Sequence, residues 1–135
     1  MNLRQITIGT LVGAVALFVV GFLIYGMLGG AEMIYDGSGA GLKGDYNLGI
    51  IALTDLITAL LLSIIYSHWA GIKTFMTGLK NGAWIGAILG LIVMLDYFSA
   101  TNLVTMNGVL FYAATHAART AIAGGLIGWA MGRFE

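Results

Sequence analysis

The sequence predicts an all-α membrane protein: one membrane domain, residues 1–135, folded as an antiparallel bundle of four transmembrane helices. Hydrophobic residues make up 59% of the 135 residues and charged residues only 9%, whereas a soluble domain carries about a quarter charged residues. Four apolar segments are long enough to cross about 30 Å of hydrocarbon at about 1.5 Å per helical residue. Much of the surface must therefore face lipid.

The first two spans are predicted over residues 6–30 and 48–69. The first, "ITIGTLVGAVALFVVGFLIYGMLGG", contains no charged residue and is too long for the hydrophobic core of a cleaved signal peptide. The second ends in "YSHWAG", where His68 and Trp69 are expected to anchor the helix at the level of the lipid headgroups. Between these spans, "GSGAGLKGD" predicts a flexible linker outside the membrane.

The third and fourth spans are predicted over residues 82–98 and 109–132. The third, "GAWIGAILGLIVMLDYF", is the shortest, and it could extend back through residues 75–80. The fourth carries a histidine and an arginine in its first half and ends near Trp129, the third expected interface anchor. No proline interrupts any of the four spans.

Positive charges predict the orientation of the bundle. Cytoplasmic loops are enriched in lysine and arginine. Arg4, Lys73, Lys80 and Arg133 lie at one end of the predicted spans, while the first loop holds Glu32, Asp36 and Asp45 against Lys43. We therefore expect a multi-pass protein of a bacterial inner membrane with both termini in the cytoplasm.

Glycines four residues apart predict close helix packing. Residues at this spacing share one helix face, and small residues let two helix backbones approach. The spacing occurs in three spans, at Gly9 and Gly13, at Gly82, Gly86 and Gly90, and at Gly124, Gly128 and Gly132. So many small-residue faces also predict docking of further helices, from a second copy or from other membrane subunits. The alternative use is room for a ligand or pore.

Four ionisable residues are predicted to form an intramembrane polar cluster. Counting residues from the ends of the spans places Asp55, Asp96, His116 and Arg119 in the same half of the bundle. A charge inside a membrane is costly unless it is paired. The guanidinium group suits a carboxylate, and Asp55 is closest to Arg119 in expected depth. We therefore predict an Asp55–Arg119 ion pair with Asp96 and His116 as further partners.

The sequence leaves the function open between three alternatives. The glycine faces favour a non-enzymatic structural or accessory subunit of a homo-oligomer or larger membrane complex, whose partners are the lipid bilayer and other subunits. In this interpretation the polar cluster holds the helices in register. The first alternative is a small proton- or cation-coupled transporter that uses the cluster. The second is a subunit that binds haem or a chlorophyll-type pigment through His68 or His116. No spacing predicts a catalytic or metal site, and no basic block predicts nucleic-acid binding.

The whole chain resembles a bacterial family of four-span integral membrane proteins that has no assigned activity. The segments that carry the resemblance are "GFLIYGMLGG" at the end of the first span, "LKNGAWIGAILG" at the start of the third and "GGLIGWAMG" at the end of the fourth. The resemblance implies a four-span fold and implies no chemistry. Small multidrug transporters have a similar size, but their hallmark is a glutamate inside the first span, and here this span has no carboxylate before Glu32.

Overall fold

The computed structural model describes residues 2–35 and 45–135, and it folds them into five α-helices. Most of the glycine-rich linker predicted over residues 37–45 lies outside the described residues. The helices are α1 (Leu3–Gly21), α2 (Gly30–Ile34), α3 (Leu48–Ile64), α4 (Phe75–Ala100) and α5 (Met106–Arg133). α1 continues as a π-helix over Phe22–Met27, and α3 does so over Ile65–Ala70. Among the described residues there is no β-strand, only an isolated bridge between Tyr35 and Val104.

Each long helix begins at a polar capping side chain that the sequence supplies. Asn2 accepts a hydrogen bond from the backbone of the first turn of α1, and Asn47 does the same for α3. Thr74 and Thr105 cap α4 and α5. These side chains satisfy N–H groups that have no partner within the helix. The cap at Thr74 explains why α4 begins well before Gly82, the start predicted from hydropathy.

Three helices are long and apolar enough to cross a membrane. They are Leu3–Met27, Leu48–Ala70 and Phe75–Ala100, and they mark the chain as a membrane protein. The fourth long helix, α5, has 28 residues but is not apolar enough to count among them. Histidine, arginine, threonine and glycine lower its hydropathy.

The position of α5 explains its composition. It packs against α4 on one side and against α1 on the other, while α3 packs chiefly against α1. α5 is therefore the central helix and buries more of its residues than any other helix, including Arg119 and Thr120. A helix shielded by its neighbours can carry polar groups that a lipid-facing helix cannot.

Glycines bring α4 and α5 into backbone contact. A Cβ atom at Gly82 would overlap the carbonyl oxygen of Thr120, and one at Gly78 would overlap that of Gly124. Gly86 faces the Thr120 side chain in the same way. Gly78, which lies outside the predicted third span, extends the predicted spacing by one turn.

The remaining glycines of the predicted set also pack within the chain. A Cβ atom at Gly90 would lie 3.1 Å from the Cα atom of Ala113. Gly124 lies against the carbonyl oxygen of Gly78, Gly128 against that of Thr74, and Gly132 against that of Lys73. These faces are occupied by helices and connections of the same chain, so they are not spare surfaces for a further helix.

α1 and α3 pack antiparallel in a register that steps by four residues. A Cβ atom at Gly13 would lie 3.0 Å from the Ala59 side chain, and one at Gly9 would lie 2.8 Å from the Ser63 hydroxyl. The same step leads from Gly13 to Leu17 and from Ala59 to Asp55. This register carries Asp55 to the level of Leu17, where α5 contributes Arg119.

The short helix α2 closes one end of the bundle. Ile34 packs with Met94, Val104 and Val109 in an apolar cluster, and Gly108 allows the first turn of α5 to approach the Ile34 carbonyl oxygen. This end holds the end of the α1 segment, the start of α3 and the connection between α4 and α5. We call it the α2 end, and we call the opposite end, where α3 joins α4, the Lys73 end.

Candidate functional site

Asp55 and Arg119, which the sequence pairs by depth, form a buried salt bridge. Arg119 Nη2 donates a hydrogen bond of 2.8 Å to Asp55 Oδ1. The side chains are only 6% and 10% exposed, for Asp55 and Arg119 respectively. Solvent screening is weak at such a site, so each charge depends on the other for compensation.

α1 completes the surroundings of the guanidinium group. Arg119 Nη2 also donates a 3.0 Å hydrogen bond to the carbonyl oxygen of Leu17. A Cβ atom at Gly21 would lie 2.7 Å from Nη2, so glycine is what lets the guanidinium group lie against α1. Arg119 thus connects three helices: its own α5, α3 through Asp55 and α1 through Leu17.

Tyr25 covers the same guanidinium group. The Arg119 Cζ atom lies 5.5 Å from the centroid of the Tyr25 ring, which is within range of a cation–π interaction. The Tyr25 hydroxyl forms a 2.7 Å hydrogen bond with Thr115 Oγ1 on α5. Tyr25 belongs to the π-helical end of α1, and π-helical turns occur frequently at functional sites.

Two further rings extend from Tyr25 along α5. Tyr25 stacks on Tyr112 with 6.4 Å between ring centroids, and Tyr112 stacks on His116 at 5.4 Å. The backbone of His116 accepts a hydrogen bond from Thr120. His116 therefore joins the pair through aromatic neighbours, with no direct hydrogen bond to Asp55 or Arg119 among the residues that the structure describes.

A cavity of about 350 Å³ reaches the ion pair from the α2 end. It lies between the end of α1 and the start of α3, and Asp55 and Arg119 are among its lining residues. Its walls are largely aromatic and aliphatic, from Phe18, Phe22, Tyr25, Tyr46, Leu48 and Ile51. Its size lies at the lower end of the range for small-ligand pockets.

Three polar atoms of this region have no hydrogen-bond partner among residues 2–35 and 45–135. They are Asp55 Oδ2, Arg119 Nε and His116 Nδ1. A buried polar atom without a partner costs free energy. The ion pair therefore retains one acceptor and one donor beyond those it uses internally.

The structure does not bring Asp96 to the pair. Asp96 lies exposed near the end of α4, and no salt bridge joins it to another side chain within the described part of the chain. α5 separates α4 from the α1–α3 pair, and hydropathy gives the depth of a residue but not the order of helices around the bundle. The predicted cluster of four is thus Asp55 with Arg119, with His116 nearby and Asp96 apart.

The predicted interface anchors lie toward the Lys73 end. His68 and Trp69 are exposed in the π-helical end of α3, with ring centroids 5.4 Å apart. Trp129 is half exposed in the last turns of α5. His68 and His116 lie toward opposite ends of the protein, so they do not face one another across a common site.

Sequence reasoning missed the contributions of α1 to the site. Tyr25, Gly21 and the Leu17 carbonyl group all contact Arg119. A tyrosine inside an otherwise apolar segment was the one available signal, since its hydroxyl needs a partner there. Within the described ranges, no group of three or more His, Cys, Asp or Glu side chains could hold a metal ion.

Comparison with protein-family models, with curated proteins and with solved structures gives no match to this chain.

Proposed function

We propose that the protein is a small membrane transporter whose solute site is the cavity above Asp55 and Arg119, with Asp55 as the group that binds the coupled proton. The observation that carries this proposal is a buried carboxylate at the end of a cavity, with one oxygen lacking a partner. Ionisable residues within membrane spans commonly mark ion pathways and substrate sites. The apolar walls and ionic base of the cavity suit a small amphiphilic solute with a polar or charged group.

The contacts of Arg119 supply a physical route for coupling. A proton on Asp55 removes the negative charge that compensates the guanidinium group. Arg119 also binds α1 through the Leu17 carbonyl group, so a change at Asp55 alters the forces that hold α1, α3 and α5 together. A solute and a proton that both act on this pair would each influence the binding of the other.

The topology in this proposal has four spans. α5 crosses the membrane as the central helix, and its polar groups are shielded by α1 and α4. The excess of Lys and Arg at the Lys73 end favours a cytoplasmic location for that end and for both termini. The cavity at the α2 end then opens away from the cytoplasm.

Proteoliposomes loaded with a pH-sensitive dye test the transport function. Small organic cations, organic anions and neutral amphiphiles are added outside in turn, and the internal pH is followed. At least one class is expected to produce a solute-dependent proton flux with the wild-type protein. Asp55→Asn is expected to abolish this flux, because an amide cannot take up the proton.

The matched control is Asp96→Asn, which removes an exposed carboxylate outside the site. This variant is expected to retain the flux. A flux unchanged by Asp55→Asn would contradict the proposal, as would the absence of proton movement with every solute class.

A structural or accessory subunit is the second candidate. It is favoured by the exposed surface of α3, where Leu53, Ile57 and Leu61 are at least 40% exposed. The glycine faces no longer favour it, because they pack within the chain. Native mass spectrometry from the source membrane separates the two candidates: copurified subunits support the accessory role, and a bound haem or pigment would support the cofactor-binding alternative instead.

A further inference from the structure

Three buried hydroxyl groups lie between Asp55 and the Lys73 end. They belong to Thr10 on α1 and to Ser63 and Ser67 in the α3 segment, and each lacks a hydrogen-bond partner among the described residues. Thr10 is 8% exposed and Ser63 is fully buried. Asp55, Ala59 and Ser63 are four residues apart and lie along one face of α3. Ser67 follows one turn later, in the π-helical segment Ile65–Ala70.

Other hydroxyl groups in these helices are satisfied differently. Thr7 donates to the carbonyl oxygen of Leu3, Thr54 to that of Ile50 and Thr58 to that of Thr54. This bond to the preceding turn is the usual solution for a hydroxyl in an apolar helix. Such a bond is absent at Thr10 and Ser63, near the contact between α1 and α3, and at Ser67, one turn further along the chain.

The register of α1 and α3 places Ser63 beside the part of α1 that holds Thr10. The Ser63 hydroxyl lies against Gly9, the neighbour of Thr10, because a Cβ atom at Gly9 would be 2.8 Å from Ser63 Oγ. Ser63 is thus directed across the interface toward α1. Gln5 follows Gly9 one turn further along α1, where it is buried and donates to the carbonyl oxygen of Met131. This part of the interface therefore combines polar groups with apolar side chains, because Met131 and Ile127 also lie against Gly9.

An apolar collar separates this polar region from the ion pair. Leu17, Ala16, Ala59 and Ala123 form a buried cluster, and Ile127 fills the space beside Gly13. Along α3 the collar occupies the stretch between Asp55 and Ser63, about 12 Å at about 1.5 Å per residue. Asp55 is thus open to the cavity at the α2 end and closed toward the Lys73 end.

We propose that Thr10, Ser63 and Ser67 form the inner half of the proton path, a hydroxyl-lined segment that admits water from the Lys73 end when the helices rearrange. Hydroxyl groups both donate and accept hydrogen bonds, so they can hold a chain of water along which a proton moves between Asp55 and the aqueous phase. The step is a proton transfer without oxidation or reduction. The proton leaves the Asp55 carboxyl group, passes along the water chain and enters bulk water. The inner segment has this role only if Asp55 carries the coupled proton, so the inference rests on the proposed function.

Cysteine accessibility tests the inner path without a known solute. The chain contains no cysteine, so each introduced thiol is the only one. Ser63→Cys and Ser67→Cys in proteoliposomes are treated with a charged, membrane-impermeant methanethiosulfonate from the Lys73 end. Leu62→Cys is the matched control for Ser63→Cys, because Leu62 is as fully buried as Ser63 but packs among Tyr66, Ile127 and Met131. Lys73→Cys, exposed at that end, confirms that the reagent reaches the protein.

The two serine positions are expected to react about ten times faster than Leu62→Cys, since a buried site is modified only through states that open it to water. Equal rates at Ser63, Ser67 and Leu62 would overturn the inner path. Thermal unfolding of each variant verifies that it is folded. If Ser63→Cys does not fold, Ser67→Cys provides the test.

The result is separable from that of the transport assay. Fast labelling of Ser63→Cys together with a proton flux that does not depend on Asp55 would contradict the proposed function. The segment would then be open to water but would not serve proton transport through Asp55. Slow labelling together with an Asp55-dependent flux would retain the transporter and exclude this path.

Discussion

At the scale of single residues, Arg119 determines how the helices meet. Its guanidinium group binds Asp55 of α3 and the Leu17 carbonyl group of α1, with the Tyr25 ring beside it. Gly21 leaves the space that the group needs. A charge that would be costly in lipid becomes a link between three helices because Asp55, the Leu17 carbonyl group and the Tyr25 ring compensate it.

The ion pair predicts strongly non-additive effects of substitution. Arg119→Met leaves a buried aspartate without its counter-charge, and we expect a loss of about 3–5 kcal/mol in the free energy of unfolding. Asp55→Leu leaves the guanidinium group without its counter-charge, and we expect a similar loss in the free energy of unfolding. The double variant buries no uncompensated charge, so it should be more stable than either single variant. Reversible unfolding in detergent micelles provides the measurement.

Asp96→Leu is the control for this cycle, since it removes an exposed carboxylate and should change stability by no more than about 0.5 kcal/mol. Strictly additive losses at Asp55 and Arg119 would show that the two charges do not depend on one another.

At the scale of the helices, the α4–α5 contact depends on the absence of side chains. Cβ atoms at Gly82 and Gly78 would overlap the carbonyl oxygens of Thr120 and Gly124. Van der Waals contact over this length is what holds helices together in lipid, where the hydrophobic effect gives no preference for helix–helix contact.

Gly82→Ala is therefore expected to destabilise the protein even though alanine favours the helix. The Cβ atom would meet backbone, which cannot move aside as a flexible side chain can, so α4 must shift away from α5. We expect a loss of about 1–3 kcal/mol, in the range of overpacked cores, seen as a lower melting temperature in detergent.

The matched control is Gly49→Ala in the first turn of α3, where the nearest atom is the side chain of exposed Asn47 at 3.3 Å. This variant should melt within a few degrees of wild type. If both variants melt alike, close approach at Gly82 does not contribute to the stability of the helix pair.

The features that depend on position along a helix could be predicted from the sequence. Glycine spacing predicted which faces of α4 and α5 are small, and residue depth placed Asp55 beside Arg119. The order of the helices around the bundle could not be predicted, because hydropathy does not indicate which helix lies in the centre. For that reason Asp96 was expected near the pair, and Tyr25 and Gly21 of α1 were missed.

At the scale of the whole molecule, α5 sets the number of membrane crossings. With α5 as a fourth span, the chain crosses an even number of times and its two ends lie on one side. With only the three apolar helices as spans, the ends lie on opposite sides. The distinction does not depend on the function, and the absence of native cysteine makes it directly measurable.

We expect Asn2→Cys and Phe134→Cys to react with a membrane-impermeant thiol reagent from the same side of the membrane, the side of the cytoplasm. Both residues are exposed, next to the ends of α1 and α5, and the positive charges near these ends favour retention in the cytoplasm. Tyr46→Cys, exposed in the connection that precedes α3, is the control and should react only from the other side. Reaction of residues 2 and 134 from opposite sides would contradict the four-span topology, because the central helix would then not cross.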